Sequence, residues 1–220
     1  MKNAPPLSRD PNEPVLGAAL TVFGRDGFAA ASVEDIARQA GVAKPTLYSR
    51  FGDKRRLFTE AMRFGMARAN ESVLNAILGL DARPADLRVS LVELGLVLVH
   101  CVTTDEGAAV IRLQIAEQAQ FPEIDGMNHR ERHIDALAGK LAQLTGLGAL
   151  RPLDPQMAAR QFLALVTTEP LIQSGHGARK LPDDNAQRLV EAGVETFLAA
   201  FGLSSSPLLR KRKPASASRM

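Results

Sequence analysis

The sequence holds one cysteine, one tyrosine and no tryptophan in 220 residues. A lone Cys101 excludes an internal disulfide framework and a cysteine-rich zinc site. Few aromatics and little sustained alternation leave almost no strand signal. Long apolar runs are missing as well. The best candidate, residues 87–104, is interrupted by Arg88, Glu93 and His100, short of the roughly 18 uninterrupted apolar residues of a membrane span. Residues 1–13 are polar and Pro-rich with no apolar leader core, so a cytoplasmic setting is expected. No glycine-rich phosphate loop, paired-carboxylate site or Ser-His-Asp order stands out, which argues against an enzyme and against a bound cofactor. Gly146 and Gly148 have no strand before them and read as a linker.

Positive charge is not spread over the chain. The net charge is +3, but Arg210, Lys211, Arg212, Lys213 and Arg219 all lie in the Ser/Pro/Ala-rich tail, residues 204–220. The remainder is therefore net negative, and any nucleic-acid surface must be local. The tail reads as a basic disordered segment able to add nonspecific DNA affinity.

Helical periodicity recurs throughout. Pro14 opens a first helix, with Leu16, Ala19, Leu20 and Phe23 on one face, and Gly27-Phe28 closes it. Ser32-Val33-Glu34-Asp35 starts a second helix in the manner of a capping box. Gly41 breaks it, and Pro45 sits in the first turn of a third helix anchored by Leu47 and Phe51. Asp53 caps a fourth helix reaching about Leu78. Further helices are expected over 84–102, 105–120, 126–145, 155–169 and 182–201. The expectation is an all-α protein with a disordered N-terminus (1–13), a three-helix head (14–60), a helical bundle (61–203) and the basic tail.

Two short helices around a tight turn form a helix-turn-helix, whose second helix enters the major groove. That helix offers Lys44, Thr46, Ser49 and Arg50 outward, suited to base edges and phosphates. Lys54 adds a cation at a helix N-terminus, where free N–H groups also favour phosphate. The run GVAKPTLYSRFGDKRRLF, with SVEDIA before it, resembles the signature of TetR-family repressors over about fifty residues. The resemblance implies phosphate contacts from Ser32, Tyr48 and Lys54, and base or groove contacts from Lys44, Pro45, Thr46 and Ser49. Ala43 departs from a capping serine, and Arg50 from a common His or Tyr. The stretches 115–124 and 150–165 are similar to the AefR-like subgroup.

The same resemblance implies a double-stranded DNA operator, a small-molecule effector, and a homodimer formed through the last two long helices. The apolar stripes expected to serve the dimer are Leu189, Val190, Val194, Phe197, Leu198 and Phe201 on the final helix, and Met157, Phe162, Leu165 and Val166 on the one before. Candidate effector contacts are Phe64, Met66, His100, Cys101, Arg112, Phe121, Phe162 and Thr167. Few charges interrupt the body helices, so the effector is expected to be apolar or weakly polar. His129 and His133 stand at metal-compatible spacing, but the Glu between them faces elsewhere and they read as a solvated face, leaving no metal site. An effector-blind protein whose body only dimerises is the alternative.

Overall fold

A computed structural model describes residues 11–80, 87–124, 127–151 and 154–203, with the side chains of 127–129 undescribed. The expected disordered tail and residues 1–10 of the expected disordered N-terminus fall outside these residues, while Asn12 and Glu13 already open the first helix. Among the described residues there are helices α1 (Glu13–Ala30), α2 (Val33–Ala40), α3 (Lys44–Phe51), α4 (Lys54–Leu78), α5 (Leu87–Thr103), α6 (Asp105–Glu117), α7 (Met127–Gly146), α8 (Pro155–Gln173) and α9 (Asp183–Phe201). The only β pairing among them is an isolated bridge between Leu150 and Gly202. No single helix is long and apolar enough to cross a membrane.

Local chemistry explains most boundaries. The Ser32 hydroxyl accepts from the Asp35 N–H (3.3 Å), and Asp53 accepts from the Arg56 N–H (2.8 Å). These bonds satisfy donors that a helix start leaves open. Gly41 closes α2 in the left-handed region at φ 68°, a conformation that costs a Cβ-bearing residue more than glycine. The helical path of α1 is interrupted at Gly27. Ala43 has the extended backbone of an N-cap but offers no side-chain acceptor to α3, a loss of about 1 kcal/mol relative to serine. α6 ends at Glu117, three residues before expectation, and α1 runs on past Gly27 to Ala30; the largest difference is at α8. α8 runs past Glu169 through Pro170 to Gln173, because a buried Pro170 is held by packing that outweighs its missing N–H.

Two apolar cores organise the molecule. The first joins α1–α3 and the start of α4, and it also takes in Val110 and Leu113 of α6 with Phe121 and Ile124 beyond it. The second joins the end of α4 with α5, α7, α8 and α9. The head is thus not closed at residue 60: α4 passes through both cores and α6 seals the first. Phe162, Val166, Val190, Val194 and Phe197 are all fully buried in the second core, which corrects their expected place on a dimer face. Intrachain packing claims them: Val166 and Val190 lie against Gly95 of α5, and Phe162 meets Phe197 across the α8–α9 pair.

Candidate nucleic-acid interface and body cavity

The outer face of α3 is built by anchoring its opposite side. Leu47 and Phe51 are buried, whereas Tyr48 is 42% exposed and Pro45, Ser49 and Arg50 are open to solvent. Thr46 is half-buried, and its carbonyl accepts from the Ser49 hydroxyl (3.0 Å). Lys44 lies 5.8 Å above the centre of the Tyr48 ring. No hydrogen bond or ion pair holds Arg50 among the described residues, since Asp53 is engaged with the Arg56 N–H. Lys54 reaches back to donate to the Ala29 carbonyl (3.0 Å) and sits 5.1 Å over the Phe28 ring. Ser32 and Lys54 stand at the starts of α2 and α4, and Tyr48 lies on the exposed side of α3.

Glu34, at the start of α2, pairs with Lys44 on this surface. Its carboxyl is pulled down to about 2, first by the hydrogen bond from Lys44, then by its own backbone and by the Ser32 hydroxyl. A carboxylate with a lowered value stays charged as pH falls until that value is neared, so the pair persists unchanged across neutral pH. A DNA contact from Lys44 requires that it exchange this partner. Glu34→Gln is expected to tighten DNA binding about threefold at moderate salt by removing a competitor for Lys44 and a repulsive charge near phosphate. Fluorescence anisotropy on labelled operator checks this, and weaker binding would show that Glu34 orients Lys44 instead of restraining it.

The body holds a partly open cavity of about 820 Å³ between α4, α5, α6, α7 and α8. Met66, Asn70 and Val73 recur along one face of α4, and Leu98 and Cys101 line it from α5. Val110, Ile111 and Gln114 come from α6, Arg130 and His133 from α7, and Leu163 and Thr167 from α8. The volume suits a drug-sized molecule, and the wall is mostly apolar with a few polar groups. Asn70 Oδ1 is buried and accepts no hydrogen bond among the described residues. Leaving such a group unpaired costs about 1–3 kcal/mol. Gln114 Nε2 finds only the Met66 sulfur, at 3.6 Å. Burial pushes the Cys101 thiol up, which keeps it protonated and poorly nucleophilic at neutral pH.

The eight candidate effector contacts therefore divide. Met66, Cys101 and Thr167 line this cavity. Phe64 and Arg112 line a different, open groove between α1, α4 and α6, and Arg112 donates to the His176 carbonyl (3.2 Å). His100 points to solvent. Phe121 belongs to the head core, 4.5 Å from Phe58 and 4.7 Å from Phe28 between ring centres, and Phe162 stacks edge-on to Phe197. Only Phe121 and Phe162 of these five fill a core of the chain itself, as a large side chain at helical spacing commonly does; the other three lie outside this cavity. Sequence reading missed Asn70 and Gln114. The signal for Asn70 was a lone amide on the inward stripe between Met66 and Val73.

The cavity wall also touches the head. Beyond Gln114, α6 ends at Glu117, whose carboxylate accepts from the Phe28 N–H (3.1 Å). At Gly24 of α1, a Cβ would come within 2.5 Å of the Ala109 Cβ on α6, so the two helices approach as closely as glycine allows. Arg55 of α4 donates to the Gln120 carbonyl (2.8 Å) and to Glu123 (3.1 Å), and lies 4.2 Å over the Phe121 ring.

A helix-turn-helix head fused to a helical body with a cavity between its helices defines a DNA-binding transcription regulator. Residues 15–61 match the family of bacterial regulatory proteins, tetR family, and residues 89–203 match the AefR-like transcriptional repressor C-terminal domain. The chain belongs to the TetR family. A solved protein from Mesorhizobium loti assigned to that family is 26% identical, covering 87% of this chain and 96% of its own, with a TM-score of 0.75. The flavonoid-responsive regulator FrrA is 28% identical over 88% of this chain and 97% of its own, with a TM-score of 0.58. The uncharacterized HTH-type transcriptional regulator YezE of Bacillus subtilis is 33% identical over 63 residues. That match takes in 29% of this chain and 32% of YezE. Proteins of the family bind DNA operators as dimers and respond to small molecules.

Proposed function

We propose that the protein acts in the cytoplasm as a repressor, bound to a palindromic operator as a homodimer and released by an apolar or weakly polar effector held in the body cavity. Ser32, Tyr48 and Lys54 hold phosphates, while Lys44, Pro45, Thr46, Ser49 and Arg50 face the major groove. The basic tail adds nonspecific affinity. The observation that carries effector release is the position of α6: one side lines the cavity and the other packs on α1. An effector that favours a different placement of α6 shifts the head with it, provided it binds the two states with different affinity. FrrA, as a flavonoid-responsive regulator, supports a ligand with a flat apolar body.

The dimer uses the outer faces of α8 and α9. Met157, Gln161, Leu165 and Ile172 form an exposed row along α8, and Ala192, Thr196 and Ala199 another along α9. Met157, Leu165 and Ile172 are 51%, 38% and 55% exposed. Such a strip of apolar and small residues is costly to leave in water and suits close helix packing.

A thermal-shift screen of apolar and weakly polar compounds, flavonoids among them, tests the reading. Hits are expected to raise the melting temperature and release DNA, since ligand at a hundred times its Kd stabilises by about 2.7 kcal/mol. Thr167→Trp, which fills the cavity, is expected to abolish both effects while DNA affinity stays within about threefold of wild type. Hits that still act on this variant would move the effector site elsewhere, and a screen without hits would favour the effector-blind alternative.

A further inference from the structure

We infer that the effector is an amphipathic weak acid: an apolar body carrying a hydroxyl that meets Asn70 and an anionic group that meets Arg130. The inference rests on the cavity being the effector site and adds the chemistry of its ligand.

Three features of the wall converge on this class. Asn70 places an unpaired, buried amide oxygen in a face otherwise formed by Met66 and Val73. A buried polar group without a partner is rare in a folded protein, and a bound molecule that completes it accounts for its presence. A hydroxyl both donates and accepts, so it satisfies Asn70 in either orientation of the amide. Among the described residues no aspartate or glutamate lines the cavity, so a cationic ligand would lose its water with no described counter-charge to replace it. Arg130 does line it. The carboxylate paired with it among the described residues, Glu131, stands at 3.9 Å and accepts its short bonds from Arg160 (3.0 and 2.6 Å). The guanidinium is thus only loosely held and half exposed, and its planar fork matches a carboxylate. His133 on the next turn of α7 adds a second polar group beside it.

The test is calorimetric titration of the full-length protein at pH 7 with four probes of one shape. They are 4′-hydroxybiphenyl-4-carboxylate, the same acid without its hydroxyl, its methyl ester, and 4′-(aminomethyl)biphenyl-4-ol. The hydroxy acid is expected to bind about tenfold more tightly than either the deoxy acid or the ester, and the amine to bind weakest. Asn70→Leu should erase the preference for the hydroxyl while keeping affinity for the deoxy acid, which also shows that the variant folds. Arg130→Gln should erase the preference for acid over ester. Equal binding of the deoxy acid, tightest binding of the amine, preferences that survive the two substitutions, or no binding by any probe would each overturn the inference. DNA release by the same probes separates the two claims. The expected binding pattern without release keeps the ligand chemistry and removes the effector role. Release by compounds indifferent to Asn70 and Arg130 keeps the effector role and overturns the chemistry.

Discussion

Replacing Tyr48 and Lys54 together by alanine is expected to weaken specific DNA binding by about a thousandfold while leaving the fold intact. Each side chain stands on an exposed flank of α3 or at the start of α4, and in a dimer each is lost twice. Four phosphate contacts at about 1 kcal/mol each remove about 4 kcal/mol, and 1.4 kcal/mol is tenfold in affinity. The salt dependence carries a separate signature. Loss of two lysine–phosphate contacts should lower the slope of log K against log salt by about 2. The fold should survive because Tyr48 is 42% exposed and belongs to neither apolar core, and because Lys54 leaves behind one exposed hydrogen bond to Ala29 and one ring contact to Phe28. Anisotropy titrations at several salt concentrations measure both quantities. A loss below tenfold with an unchanged slope would place the phosphates on other residues.

Phe58→Ala should have the largest effect on stability, about 3–5 kcal/mol. Phe58 is fully buried and touches three rings: Phe23 at 4.9 Å, Phe28 at 5.2 Å and Phe121 at 4.5 Å between centres. Phe23 and Phe28 belong to α1 and Phe121 to the segment after α6, so one side chain ties the head to the helix that seals it. Truncation leaves a cavity where three elements meet, and edge-to-face contacts worth about 0.5–1.5 kcal/mol per pair are lost with it. The second core contains none of these residues. Hydrogen exchange should therefore quicken through residues 13–61 and 105–121 and change little in α8 and α9. A uniform change across the molecule would mean that the two cores unfold as one unit.

The head could be read from the sequence because its determinants are local. A capping serine at Ser32, a left-handed glycine at Gly41, a proline in the first turn at Pro45 and a capping aspartate at Asp53 each act within four residues of their position. The face that α3 shows follows directly from Leu47 and Phe51 pointing the other way. The cavity was far less legible. Asn70, Gln114 and Arg130 come from α4, α6 and α7, and nothing in their spacing states that these three helices enclose a common space. Phe121 and Phe162 show the converse difficulty: spacing identified them as inward-facing, but not towards which interior. The dimer stripes were legible only in part, for a related reason. The face of α8 and α9 with Phe162 and Phe197 serves the chain's own core, whereas Met157 and Leu165 of the expected stripes stay exposed. Pro170 stopped the expected helix one turn early because local propensity was weighed without the tertiary packing around it.

Site-specific DNA recognition by the α3 face is tested most directly by selecting and sequencing random and genomic fragments bound by the purified protein at physiological salt with competitor DNA. The expected result is a palindromic motif whose half-sites lie about one helical turn apart, as two recognition helices in successive major grooves require. Recovery of no motif, or of the same motif by the Tyr48→Ala, Lys54→Ala double variant, would contradict it.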